Sequence, residues 1–144
     1  MLILGIESAS SQVGCAIGGH EGVLASAHSG RGGLHAEHLA PQIEFVRRQA
    51  GIELGDLGAV AVDVGPGLFT GLRVGIATAL AVAYALGLPM IGVSSLDLLA
   101  SSQAMTDRGG FAFRAGLLER VLDGSQFKRL MQAARRKARS EKTQ

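Results

Sequence analysis

The sequence predicts an α/β fold: a mixed five-stranded sheet in the order β-β-β-α-β-α-β, with helices on its faces. Short apolar runs broken by turn residues fill the first thirty positions. Two longer stretches then repeat apolar or small residues at helical spacing, and each is followed by another short apolar run. At 144 residues and 47% hydrophobic, the chain can fill one core, and its 21 glycines point to tight turns and close backbone contacts.

Leu2 to Glu7 is an apolar strand, and Ser8-Ala9-Ser10-Ser11 a polar turn. Val13 to Gly18 forms a second strand, turned at Gly19-His20-Glu21-Gly22 into a third, Val23 to His28. Cys15, the single cysteine, can form no intramolecular disulfide and belongs in the apolar strand. Gly30-Arg31-Gly32-Gly33 reads as a flexible loop. The next helix, His35 to Ala50, sets Leu39, Ile43, Val46 and Ala50 on one face, so Pro41 must lie in its first turn or kink it. Gly51 ends that helix, and Leu57 to Val64 is the fourth strand. A helix from Thr70 to Gly87 follows. Met90 to Val93 is the fifth strand, and Ser94-Ser95-Leu96-Asp97 caps a short helix through Ala100.

Between the fourth strand and its helix, Gly65-Pro66-Gly67 marks a sharp turn, and Thr70 stands where an N-cap belongs. A glycine turn opening a helix has the geometry of an anion cradle, because free N–H groups and the helix dipole point at whatever docks there. From Gly67 onward every fourth residue is small: Gly71, Gly75, Ala79, Ala83 and Gly87. This ridge lets another helix approach closely, although each interior glycine costs about 1 kcal/mol of helix propensity. Leu72, Val74, Ile76, Leu80, Val82 and Leu86 make the helix apolar almost all round, which predicts burial on every side, in a core or a core plus an interface. Its Gly/Ala dilution and the Gly87-Leu88-Pro89 break argue against a membrane span. The N-terminus lacks the basic region of a signal peptide, so the chain is expected to be cytoplasmic.

Charge divides unevenly. Residues 1–124 hold seven Lys/Arg against eleven Asp/Glu, a net of −4, whereas residues 125–144 hold seven against one, a net of +6. In that tail Phe127, Leu130, Met131, Ala134 and Ala138 share one helical face, with Lys128, Arg129, Arg135, Arg136 and Lys137 mostly elsewhere. A basic amphipathic helix of this kind suits tRNA phosphates, a solvated terminus, or a segment foreign to the rest of the chain, as from a frameshift or early truncation. The abrupt change of pattern after Ala100 favours truncation.

Four stretches occur in the order and spacing of one family: Leu4-Gly5-Ile6-Glu7-Ser8-Ala9-Ser10, His35-Ala36-Glu37-His38-Leu39-Ala40-Pro41, the run from Gly65 to Gly75, and Gly92-Val93-Ser94-Ser95-Leu96. Over residues 2–101 the chain resembles the N-terminal lobe of the bacterial TsaB family, the dimerisation subunit of the complex that makes threonylcarbamoyladenosine beside the tRNA anticodon. The resemblance implies an actin/sugar-kinase/Hsp70-like (RNase H-like) half-fold over residues 1–101, with residues 102–144 as a non-family extension in place of a second lobe. It also implies a non-catalytic role beside a TsaD-like catalytic subunit and an associated ATPase, with contact through the two helices. Glu7 stands where the family has Asp, Ala9 where it has Ser or Thr, and Leu68 where it has Ser, which weakens a phosphate role for these turns.

The candidate interface is therefore Gly71, Arg73, Gly75, Ala79, Ala83, Leu39 and Ile43, and the vestigial phosphate loop is Gly65, Pro66, Gly67, Thr70 and Ser8. Arg73, the only charge in its helix, reads either as a buried stem with its head in water or as a bonded group that holds the glycine turn or a partner carboxylate. Near a positive helix end it wants an acidic partner, for which Asp63 is the candidate. His35 and His38 are spaced i, i+3 rather than the i, i+4 of a helical metal pair, and Glu37 suits the helix N-terminus. No nucleophile–base pair or Walker loop emerges, so no catalytic residue, metal or cofactor is assigned. The sequence thus predicts a scaffold for tRNA threonylcarbamoyladenosine modification, either paired with the catalytic relative or homodimeric, that meets tRNA indirectly or through its tail. The rival readings are a small ATP-binding enzyme of the same superfold and a basic-tailed RNA-binding module.

Overall fold

The computed structural model describes residues 1–30 and 35–98. Its elements are β1 (Leu2–Glu7), β2 (Val13–Gly19), β3 (Gly22–Ser29), α1 (His35–Ala50), a 3-10 turn (Leu54–Asp56), β4 (Leu57–Asp63), α2 (Phe69–Leu86) and β5 (Met90–Val93). The expected order is met, with strand and helix ends shifted by a residue or so. The expectations for residues 31–34 and for everything after Leu98, including the tail helix, lie outside the described residues.

The five strands form one sheet in the order β3-β2-β1-β4-β5. β1 pairs antiparallel with β2, and β2 with β3, while β1, β4 and β5 run parallel. A two-residue turn suffices for the β2–β3 hairpin, whereas each parallel strand needs a helical crossover to return to the same end.

Alternation along the strands divides the core. Leu4 and Ile6, Val13, Cys15 and Ile17, and Val60 and Val62 point to one face, where they meet Leu39, Ile43 and Val46 of α1 and Ala79 and Ala83 of α2. Ile3, Ala16, Ala59, Ala61, Ile91 and Val93 point to the other and pack with Leu98. Both helices share the first face rather than dividing between the two. Bulky side chains from α1 fill the space over β2 and β3, while the small ridge of α2 lets that helix settle closely above β4 and the end of β1.

Both helices end as the sequence predicts, on glycines in the left-handed region: Gly51 at φ +68° and Gly87 at φ +63°. Pro41 lies in the second turn of α1, not the first. The helix continues through it, without the hydrogen bond that a donor at that position would make. The last turn of α1 is held by ions, since Glu44 accepts from Arg47 at 2.8 Å and Arg48 at 2.7 Å. Arg47 also reaches Glu53 at 3.1 Å and the Ile52 carbonyl at 3.0 Å, tying the helix to the loop before β4.

Candidate functional site

The three parallel strands end at one edge of the sheet, and the turns that leave them meet there. This is where open α/β sheets gather ligands. Gly65, Pro66, Gly67, Thr70 and Ser8 are all brought to this edge, where the hydrogen bonds of Ala9, Gly65 and Leu68 tie the turns to one another. The Leu68 N–H donates to the Ala9 carbonyl at 2.7 Å, joining the two turns. A Cβ on Gly67 would overlap that same carbonyl, so glycine is required by the close approach. Glu7, buried, accepts the Ala9 N–H at 3.0 Å and closes the first turn on itself.

Asp63 is the centre of a second link. Its Oδ1 accepts from the Gly65 N–H at 2.8 Å and from the Ser95 hydroxyl at 2.5 Å, while the Ser95 N–H donates to the Gly65 carbonyl at 2.9 Å. The turn after β4 is thereby latched to the turn after β5, with Gly65 at φ +96° and a cis Gly65–Pro66 peptide at the bend. Asp63 is fully buried, and its Oδ2 has no hydrogen-bond partner among the described residues. Sequence reading missed Ser95 in this role, taking it as a cap; Ser94 does the capping, its hydroxyl accepting from the Leu96 N–H at 3.2 Å.

Three expectations need correction here. Asp63 is not the partner of Arg73. Its carboxylate is engaged within the fold, whereas the Arg73 guanidinium is exposed and lies 5.3 Å from the centre of the Phe69 ring. Thr70 is not the N-cap of α2, because the helix already begins at Phe69 and Leu68 occupies the cap without a side-chain bond. Finally, α2 is not buried all round: Gly71, Gly75, Ala79 and Ala83 form its one buried stripe.

The ridge admits the chain's own backbone rather than another helix. A Cβ on Gly71 would strike the Ser8 carbonyl, and one on Gly75 would strike the Ser8 hydroxyl, which is buried and has no hydrogen-bond partner among the described residues. Leu39 and Ile43 are likewise core residues. Of the seven expected interface positions, only Arg73 faces solvent. The opposite side of α2 carries what sequence reading overlooked. Phe69, Leu80 and Tyr84 are 73%, 51% and 92% exposed and, with Arg73, form an outward stripe at helical spacing. The signal was available in their positions, i, i+4, i+11 and i+15, but an all-apolar helix gives no clue to which stripe turns inward.

His35 and His38 serve the packing of α1. His35 is buried, with Nε2 3.0 Å from the Ser10 carbonyl, and His38 Nδ1 lies 3.0 Å from the Ser29 hydroxyl. Ser29, His38, Pro41, Gln42 and Phe45 line a shallow apolar groove between α1 and β3.

Comparison with known proteins accords with this geometry. The profile of the family "TsaD: tRNA N6-adenosine threonylcarbamoyltransferase" matches residues 26–117. A tRNA N6-adenosine threonylcarbamoyltransferase of Erythrobacter litoralis is 35% identical over 122 residues, covering 74% of this chain and 36% of that protein. An uncharacterized Mycobacterium tuberculosis protein is 49% identical over 65 residues, covering 45% of this chain and 31% of that one. Among solved structures, YeaZ from Pseudomonas aeruginosa superposes with a TM-score of 0.65 at 31% identity, covering 72% of this chain and 47% of YeaZ. RuvC of Thermus thermophilus, bound to a Holliday junction, shares the fold alone, with a TM-score of 0.53 at 12% identity and coverage of 82% and 89%. The chain spans about a third of the length of the curated relatives it matches and about half of YeaZ.

Proposed function

Because the chain belongs to the tRNA N6-adenosine threonylcarbamoyltransferase (TsaD) family, with a TsaB-like N-terminal region on an RNase H-like half-fold, we propose that it acts as a non-catalytic subunit in tRNA threonylcarbamoyladenosine modification. Its partners are a TsaD-like catalytic subunit and the associated ATPase, in the cytoplasm, and tRNA is met through them or through the basic residues 125–144. The observation that carries this reading is the outward side of α2, where Phe69, Leu80 and Tyr84 stand uncovered. Apolar side chains of that size clustered on one helix face mark a contact surface. The bonds between the first two turns support it from the other direction, since two of their donors, the Ala9 and Leu68 N–H groups, are already engaged within the chain. The interface then lies on the far side of α2 from the small ridge, with Arg73 the one residue common to both assignments.

The test is assembly. Mixed with the full-length tRNA N6-adenosine threonylcarbamoyltransferase encoded by the same genome, the folded chain should elute as a complex in size-exclusion chromatography with light scattering. Absence of a complex between two folded proteins would remove the proposal. A clear rise in melting temperature with ATP alone would instead favour the small ATP-binding enzyme.

A further inference from the structure

The sheet ends on β3, and among the described residues no strand pairs with its outer edge. An open edge presents a row of backbone N–H and C=O groups, which natural sheets protect with charges, proline or bulges. β3 reads Gly-Val-Leu-Ala-Ser-Ala-His-Ser and holds no Lys, Arg, Asp, Glu or Pro. Its protection is a bulge at Leu24, where the pairing steps from Ile17 with Ala25 to Gly18 with Val23. From Ala25 to Ser29 the edge is regular, and the small side chains of Ala25, Ser26 and Ala27 leave its backbone approachable. Two large apolar groups flank it. Leu24 is 48% exposed on the strand, and Phe45, 52% exposed, lines the groove that α1 shares with Ser29. In that groove Gln42 Oε1 has no hydrogen-bond partner among the described residues.

We infer that this edge receives β3 of a second copy of the chain, antiparallel, so that the two sheets join into one. The inference goes beyond the subunit proposal and does not rest on it, since α2 lies over β4 and the end of β1, away from β3. What the edge exposes is self-complementary. The two-fold axis of an antiparallel strand pair stands perpendicular to the sheet, which keeps both α1 helices on one side and pairs only residues that share a face. Over Ala25–Ser29 this puts Ala27 on the axis, with Ser26 opposite His28 and Ala25 opposite Ser29. An uncharged strand meets its twin without repulsion. A strand pair alone is smaller than the roughly 800 Å² per partner of a stable interface, so the helix side must contribute. There Phe45 of each copy covers the groove of the other, and Gln42, both donor and acceptor, answers its twin.

The experiment uses the full chain, with sedimentation velocity over a range of concentrations and a melting curve for every variant. The wild type should sediment as a dimer, and Ser26→Lys and Phe45→Glu should each weaken it by about tenfold or more while still melting cooperatively. Under mild oxidation Ala27→Cys should form a disulfide-linked dimer, a bridge that adding Ser26→Lys prevents. This variant is made in a Cys15→Ala background, because Cys15 pairs with Ala27 across the hairpin. A folded wild type that stays monomeric at about 100 μM overturns the inference. So does a dimer that Leu80→Asp dissolves and Ser26→Lys leaves intact, since the contact then lies on α2. If Ser26→Lys instead abolishes binding of the full-length tRNA N6-adenosine threonylcarbamoyltransferase of the same genome, the strand that β3 receives is that protein's and the second copy is refuted. A β3 dimer that responds to these variants but binds no transferase upholds the inference and removes the subunit proposal alone.

Discussion

Gly71 and Gly75 lie where α2 crosses the end of β1, and they differ in what an added methyl group would meet. At Gly71 it meets the Ser8 backbone carbonyl, with the His35 ring 3.2 Å away; at Gly75 it meets a hydroxyl that can rotate. Replacing glycine by alanine inside a helix otherwise gains about 1 kcal/mol. Overpacking at a backbone contact costs about 1–3 kcal/mol. Gly71→Ala should therefore destabilise the fold by up to about 2 kcal/mol net, and Gly75→Ala by less, as read from denaturant midpoints. Equal effects would mean that the Ser8 carbonyl yields as readily as its side chain. Glu44 gives a pH-dependent counterpart. Hydrogen bonds from Arg47 and then Arg48 hold its carboxyl down from an ordinary 4.5 to about 2. The stabilisation from this cluster is complete above 4.5 and lost as pH falls toward 2. The melting temperature of Glu44→Gln should thus lie below that of the wild type at neutral pH, by a small margin because the pair is exposed, and the two should converge in acid.

Along α2, two stripes perform separate tasks. The inward row of Gly71, Gly75, Ala79 and Ala83 sets how closely the helix lies on the sheet, while the outward stripe meets solvent in the isolated chain. Leu80→Ser and Tyr84→Ser should accordingly shift unfolding by no more than about 0.5 kcal/mol, whereas the same changes should disrupt the proposed complex. A large loss of stability from either would place the outward stripe in the chain's own core. The helix is also long and apolar enough by composition to cross a membrane. In the fold its small stripe packs on β1 and β4, a use that composition does not distinguish from a span. Element boundaries were legible because they rest on local chemistry: Gly51 and Gly87 stop the helices through their left-handed backbone, and alternation marks the strands. The start of α2 was not, since Thr70 has the right chemistry for a cap, but the bond from Leu68 to Ala9 begins the helix earlier.

For the whole molecule, the order of strands and helices, the glycine turns, the lone cation of α2 and the family's motifs were all determined by the sequence, because each depends on residues close together in the chain. Tertiary structure alone decided which stripe of α2 turns inward, where Asp63 spends its carboxylate, and that both helices share one face of the sheet. The reason is the same in each case. A helix apolar all round carries no periodic signal to orient it, so the close approach of β1 selects the glycine row. Asp63 finds Ser95 across thirty-two positions of sequence, a pairing made only when β4 and β5 lie side by side. The choice of inward stripe leaves Phe69, Arg73, Leu80 and Tyr84 facing outward.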